Sequence, residues 1–267
     1  MATFIAENPR RIIGASLAGA AVGVLGGLIG LGGAEFRLPL LIGLFGFAAL
    51  HAVMLNKAMS LVVVTSALFF RMGTVPAQTI ADNWPIVLNV LAGSLVGAWL
   101  GAGWATRLSN RRLYQIISVM LLVIAAVLLF THEVHSNGAM LQGPAQAVAG
   151  IVAGFVIGVV AAVMGVAGGE LLIPTLILLF GADIKLAGSL SVAISLPTMV
   201  VGFIRFSRDS AFEVLRHNRR FLIAMALGSI AGAAIGGQLL GVIPNHVLLP
   251  VLAAILVISA VKVWRHK

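Results

Sequence analysis

Apolar residues along this chain gather into ten runs, bounded by charges and by Pro, Asn or Asp. They fall at roughly 12–30, 36–47, 52–70, 85–106 and 113–131, then 145–166, 170–181, 186–204, 221–242 and 246–264. The runs are unbroken rather than alternating, so they do not read as barrel strands with one polar face. Eight of them are close to the ~20 residues that a helix needs to cross a bilayer. The runs at 36–47 and 170–181 are too short for independent spans, and each follows a glycine-rich break.

That pairing of a break with a short run extends to a whole-chain repeat. Pro39 and Pro174 lie 135 residues apart, and the same separation relates Gly19 to Gly154, Gly23 to Gly158, Gly30 to Gly165 and Gly33 to Gly168. It also relates Glu35 to Glu170, Ser60 to Ser195, and Gly93, Gly97 and Gly101 to Gly228, Gly232 and Gly236. One register holds without a gap over about 90 residues, which chance does not produce. The expected organisation is a tail at 1–11, a first membrane repeat at 12–131, a linker at 132–144, a second repeat at 145–264 and a tail at 265–267. Met1 to Arg11 reads as a short tail ahead of a full-length apolar run, not as a cleaved signal.

Composition supports a membrane chain: 60% of residues are apolar and only 9% charged, against roughly 25% charged in a soluble domain. The net charge of +9 sits between the apolar runs, with no basic helix interleaved with aromatics, so nucleic acid is not an expected partner. Such charges set topology instead. Arg10 and Arg11, the Arg107–Arg112 loop, the Arg205–Arg220 loop and the Lys262–Lys267 end are all expected on the cytoplasmic side. The repeat partners of those two loops, near 243–246 and 71–84, are poor in basic residues and are expected outside. The halves therefore run in opposite directions, which requires an odd number of crossings in each. Five crossings satisfy this, and so do three crossings plus a re-entrant hairpin; four plain spans do not. The expected fold is an all-α, polytopic integral membrane protein of two inverted-topology repeats with interrupted helices near the bilayer midplane. A bacterial-type inner membrane is the expected location, with both termini cytoplasmic.

The two breaks, Gly30-Leu-Gly-Gly-Ala-Glu-Phe-Arg-Leu-Pro39 and Gly165-Val-Ala-Gly-Gly-Glu-Leu-Leu-Ile-Pro174, carry the candidate chemistry. Glycines at this density interrupt a helix, each costing about 1 kcal/mol relative to Ala. The freed backbone groups must then be buried in protein or face a wet cavity. Helix ends so exposed present amides with a positive dipole, which suits an anion. Paired breaks in inverted repeats recur in secondary transporters. By contrast Gly19, Gly23, Gly93, Gly97, Gly101, Gly228, Gly232 and Gly236, spaced by four, read as close-packing faces.

Glu35 and Glu170 are the acidic residues inside the apolar zones, where an ionisable group needs a partner or a proton. Three roles are open for them: binding a coupling proton, capping neighbouring helix amides, or pairing with Arg37. The candidate substrate residues are Gly32, Gly33, Ala34, Glu35, Asn56, Lys57, Ser60, Gly168, Gly169, Glu170, Ser191 and Ser195. Hydroxyls bonded to their own helix are the competing reading for Ser60, Thr65, Ser66, Ser189, Ser191, Ser195 and Thr198. Arg71 and Arg205 read as interfacial anchors, and Trp84, Trp99, Trp104 and Trp264 as an interface belt. His132, Glu133 and His135 are weak grounds for a metal site, and neither a metal nor a cofactor is expected. With no cysteine, thiol chemistry is excluded. With no nucleophile–base pair or phosphate-binding loop, neither an enzyme nor an ATP-driven pump is expected.

The two Gly-rich-then-Pro segments resemble the hallmark of the TauE/SafE family of sulfite exporters, and the duplication over nearly the whole chain fits it. The second copy matches better; Ala34 and Arg37 depart from the usual small and apolar residues in the first. The resemblance implies a permease for sulfite, sulfonates, sulfoacetate or related organic anions, commonly moving them outward. The implied partners are a small anion and the bilayer, and a homodimer is compatible with the sequence. Two other readings stay open: a cation carrier or channel using the paired glutamates, and a membrane scaffold whose glycines only pack helices.

Overall fold

A computed structural model describes residues 9–29, 32–71, 77–130, 139–239 and 245–266. His132, Glu133 and His135 lie outside the described residues, as does the side chain of Arg71. Among the described residues there are helices and no strands. In the first half these are α1 (Pro9–Ile29), α2 (Ala34–Gly43), α3 (Ala49–Arg71), α4 (Ala77–Asp82), α5 (Trp84–Ala105) and α6 (Asn110–Phe130). The second half has α7 (Gly143–Met164), α8 (Gly169–Phe180), α9 (Ile184–Phe206), α10 (Glu213–His217), α11 (Arg219–Gln238) and α12 (Asn245–Trp264). Eight of these are long and apolar enough to cross a membrane. The short helices α4 and α10 lie in segments that the hydrophobic pattern reads as loops.

The two seams that dominate the packing each join one half to the other. Helix α1 lies parallel to α11: Gly19, Gly23 and Gly27 meet the backbone at Met225, Ser229 and Ala233, while Gly228, Gly232 and Gly236 meet it at Ser16, Ala20 and Val24. Helix α5 lies parallel to α7 in the same way, with Gly93, Gly97 and Gly101 against Ile151, Phe155 and Val159. Repeat register exchanges these two seams, because α1 corresponds to α7 and α11 to α5. The small residues remove the side-chain layer that would hold the helices apart, so backbones touch and dispersion gains accumulate along the whole seam. The four-residue glycine spacing is thus a packing device, as the sequence suggests. The two repeats are interleaved rather than side by side.

Inversion is visible where equivalent helices meet each other. Helices α3 and α9 hold the same position in the two repeats, and they run antiparallel. His51 at the start of α3 is within electrostatic reach of Asp209, just past the end of α9. Six residues further along α3, Lys57 lies against Gly202. Helices α6 and α12 behave likewise, with Tyr114 near the start of α6 packed edge-on against His266 past the end of α12, centroids 5.3 Å apart. Antiparallel contact between repeat-equivalent helices requires a two-fold axis across the helix direction, which for membrane-spanning helices lies in the bilayer plane.

The same contacts gather the basic segments at one end of the bundle. The start of α1 lies beside the start of α11, Gly43 at the end of α2 lies against Lys262, and Arg205 lies on Gly103 near the end of α5. At that end Arg205 and Arg208 stack over Trp99, 5.6 and 4.9 Å from the ring centroid. Trp84, Trp104 and Trp264 are exposed at helix ends, as an interface belt requires. Both α1 and α7 have full crossing length, whereas α2, at 10 residues, and α8, at 12, have about half of it. Helix α2 nevertheless returns to the basic end where α1 starts. Each half therefore combines a full-length helix, a half-length return and three further long helices. The structure thus merges the two expected crossing counts.

Replacing Gly232 by Ala puts a β-carbon onto the carbonyl of Ala20 and should destabilise the protein by about 1–3 kcal/mol, as overpacking does. Gly14→Ala, where nothing lies within 4 Å, should leave the melting temperature unchanged or slightly higher. Thermal melting of the two purified variants checks this, and equal melting would deny that the seams are close-packed.

Candidate functional site

The site is built where the two breaks come together. Helix α1 ends at Ile29, and the chain returns through Gly32 and Gly33 at φ of 90° and 70° before α2 begins at Ala34. Helix α7 ends at Met164, and Gly165 and Gly168 take φ of 67° and 82° before α8 begins at Gly169. These left-handed conformations admit glycine without strain. Close approach also demands it, since a β-carbon on Gly33 would meet the Val22 carbonyl and one on Gly165 the Val53 carbonyl. The chain thus folds back, and α2 and α8 begin at a level well inside the ends of α1 and α7. Pro39 and Pro174 lie inside α2 and α8 rather than at their first positions. Each lacks the N–H that would bond to the carbonyl four residues earlier, on Glu35 and Glu170.

Helix α3 ties both breaks together, and it is the most enclosed of the long helices, with 67% of its apolar window buried. The Asn56 amide donates to the carbonyl of Ala34 at 3.0 Å and to that of Met164 at 3.1 Å, so one side chain spans the start of α2 and the end of α7. Lys57 Nζ donates to the Ala161 carbonyl at 3.0 Å and the Val166 carbonyl at 3.4 Å. Ser60 Oγ donates to the Gly165 carbonyl at 3.3 Å. The carbonyls of Met164, Gly165 and Val166 lie at the end of α7 and in the break behind it, where intrahelical donors run out, whereas that of Ala161 also accepts from the N–H groups of Gly165 and Val166. A cation at that end is also favoured by the helix dipole.

Arg37 is fully buried and donates from Nε to Asn56 Oδ1 at 2.8 Å, from Nη2 to Ser60 Oγ at 2.8 Å and from Nη1 to Ser229 Oγ at 3.2 Å. All three acceptors are neutral, so its charge is hydrogen-bonded without being ion-paired. The repeat partners of Arg37 and Lys57 are Leu172 and Val192, so both buried cations come from the first half.

Glu35 and Glu170 face each other in the first turns of α2 and α8. Glu35 is completely buried and Glu170 is 4% exposed. Among the described residues, neither oxygen of Glu35 and not Oε2 of Glu170 has a hydrogen-bond partner. Pairing of Glu35 with Arg37 is therefore not what the structure contains: the guanidinium is within electrostatic reach of the carboxyl but spends its hydrogen bonds on Asn56, Ser60 and Ser229. The two glutamates are repeat equivalents, so the pseudo-two-fold axis passes between them. An axis that inverts the halves lies at the bilayer midplane, and so does the carboxyl pair.

The candidate residues on α9 behave differently from those on α3. Ser191 donates to the Gly188 carbonyl at 2.8 Å, Ser189 to Lys185 at 3.1 Å and Thr198 to Ile194 at 2.8 Å. Thr65 and Ser66 likewise bond to their own helix at Leu61 and Val62. Ser195 is buried. The own-helix reading thus holds for most of these hydroxyls, but not for Ser60. Sequence reasoning passed over Ser229, which holds Arg37, and Ser94, which lies 2.7 Å from Thr198. The signal was available, because Ser94 and Ser229 are themselves 135 residues apart. Arg205 stacks on Trp99 at the basic end and takes no part in the site. No group of three His, Cys, Asp or Glu that could hold a metal occurs among the described residues.

Asn56→Ala leaves the Met164 carbonyl and Arg37 Nε without a partner, at about 1–3 kcal/mol for each buried group left unsatisfied. Ser191→Ala removes only a local bond to its own helix. Asn56→Ala should therefore lower the melting temperature markedly and Ser191→Ala hardly at all; the reverse order in differential scanning fluorimetry would remove Asn56 from its bridging role.

The family model described as sulfite exporter TauE/SafE matches residues 15–263. No curated protein and no solved structure matches the chain significantly. The family match spans both repeats, both glycine breaks and the whole of the polar centre between them, and on that extent the chain belongs to the TauE/SafE family of sulfite exporters, a family of membrane transporters.

Proposed function

We propose that the protein is a secondary transporter that exports sulfite or an organosulfonate such as sulfoacetate by alternating access. The observation that carries this reading is the meeting of both breaks at one place, with Glu35, Glu170, Arg37 and Lys57 buried together. Ionisable groups at membrane depth are expensive, and in transporters they mark the path of substrate or coupling ion. Amides at the starts of α2 and α8, with Gly32, Gly33, Ala34, Gly168 and Gly169 around them, would replace the water around a small oxyanion. Arg37 and Lys57 supply positive charge, and Asn56, Ser60, Ser191 and Ser195 complete the polar surroundings. Sulfite and sulfonates suit such a site because they are small and carry their charge on several oxygens.

Movement follows from the interleaved seams. Helices α1 and α11 form one close-packed pair and α5 and α7 the other, and each pair carries one of the two breaks. Rocking one pair against the other about the central α3–α9 contact would open the midplane site to each side in turn. Glu35 and Glu170 are the coupling candidates, exchanging a proton as the site alternates. Positive charge at one end of the bundle supports a cytoplasmic position for that end and for both termini.

Purified protein in liposomes should carry radiolabelled sulfite or sulfoacetate across the bilayer, with competition among sulfite, sulfonates and carboxylates ranking the substrates. Glu170→Gln should abolish or uncouple that flux while the variant still expresses and inserts normally. Wild-type coupled rates in Glu170→Gln would sink the coupling role, and a cation flux indifferent to every anion would sink the anion reading itself.

A further inference from the structure

We propose that the carboxyl pair makes this carrier an electroneutral proton–anion symporter, in which proton and anion cross in the same direction and the number of protons equals the charge on the anion. The proposal rests on the anion-transport reading and assigns the sense of its coupling, which family membership leaves open; where the exterior is the more acidic side this sense favours uptake, and outward transport then requires an anion gradient steeper than the opposing proton gradient.

Position is the first ground. Glu35 and Glu170 stand in the first turns of α2 and α8, where the helix amides offer a place to an anion. The two carboxyls face each other there, and neither oxygen of Glu35 has a hydrogen-bond partner among the described residues. The ionised pair thus fills the positive field at the two helix starts, and an arriving anion meets like charge. A proton on a carboxyl removes that charge and releases the helix start.

Charge balance is the second ground. The groups facing Glu35 are Glu170 from α8 and Arg37 from α2 itself. Helix α3 adds Lys57, whose ammonium is turned to the end of α7. Helices α1, α6, α7, α9, α11 and α12 bring no further buried acid or base among the described residues; their charged residues, such as Lys185, Arg205 and Lys262, lie at helix ends. The buried centre therefore holds two acids and two bases. With both carboxyls ionised it is neutral, and with one proton and one monovalent anion bound it is neutral again. With a proton alone it carries one excess positive charge, and with an anion alone one excess negative charge.

An unbalanced charge in a low-dielectric interior is strongly disfavoured. The empty and the doubly loaded sites are thus the two that can pass through an occluded state, while the two half-loaded sites are held back. That is the condition for obligatory coupling, and its sign is symport. Exchange of a proton for an anion would require the half-loaded forms to be the mobile ones. A divalent anion is balanced by protons on both Glu35 and Glu170.

The test uses the full-length protein in proteoliposomes with radiolabelled methanesulfonate, an anion whose charge stays constant through the neutral range. With the outside more acidic than the lumen, methanesulfonate should accumulate inside, approaching about tenfold per pH unit of gradient. A potassium diffusion potential of either sign at equal pH should drive no accumulation. The double variant Glu35→Gln, Glu170→Gln should lose the response to the pH gradient, and anion binding to the purified variant should no longer vary with pH. If that variant does not fold, proton uptake by the wild-type protein on adding methanesulfonate, read with a pH indicator in weak buffer, stands in its place, at about one proton per anion bound. Accumulation in the opposite sense, flux that follows the membrane potential, binding without proton uptake, or a double variant that keeps the pH response would each overturn the proposal while leaving anion transport intact. Absence of flux for methanesulfonate, sulfite and sulfoacetate under every gradient would overturn the transport reading and this inference with it.

Discussion

A backbone that stops being helical inside a membrane has no water to turn to, and each amide or carbonyl left over must find a partner within the protein. Most of the polar chemistry at the centre of this molecule follows from that demand. The end of α7 and the break behind it expose the carbonyls of Met164, Gly165 and Val166, and α3 answers all three with Asn56, Ser60 and Lys57. Asn56 then reaches the first break through Ala34, and its own oxygen fixes Arg37. The break needs the polar residues of α3, and once these are there a buried arginine can be held as well. Satisfying an interrupted helix and assembling a charged centre are one structural problem here.

The centre is symmetric in its backbone and asymmetric in its charge. Glycine breaks, first-turn glutamates and interior prolines occur in both halves, and the carboxyl pair lies on the axis that relates them. The cations do not follow the symmetry, because Leu172 and Val192 stand where Arg37 and Lys57 would be repeated. Two cations are enough to balance two carboxyls, and four charged ones would leave an excess of positive charge even with both carboxyls ionised. Loss of the cations from one copy is therefore consistent with a pair of acids shared by both halves.

Much of this was legible in the sequence. The 135-residue register located the breaks, the glutamates and the packing glycines, because backbone conformation and close approach dictate residue type directly, and the distribution of basic residues over that register indicated the inversion of the halves. Side-chain partners were harder to read. Arg37 looked like a partner for Glu35 two residues away, yet in the fold it turns to Asn56, Ser60 and Ser229, the last of them 192 residues distant. Such contacts depend on which helices become neighbours, and no local pattern encodes that. The hydroxyls of α9 show the opposite limit. Their spacing is the same whether they face a substrate or bond to the preceding turn, and for Ser189, Ser191 and Thr198 the local bond is the one made.

The parallel seam between α1 and α11 has a consequence for biosynthesis. The first helix to enter the membrane meets its closest companion only after some 200 further residues have been made, since α11 begins at Arg219. Until then its glycine face has lipid or a stand-in against it, and the six long membrane helices that precede α11 form an unfinished set. Such long-range closure is slow and leaves partly assembled chains exposed. A chain stalled or cut between the halves would lack one wall of each seam, so release from the insertion machinery is a better marker of completed folding than insertion of any single span.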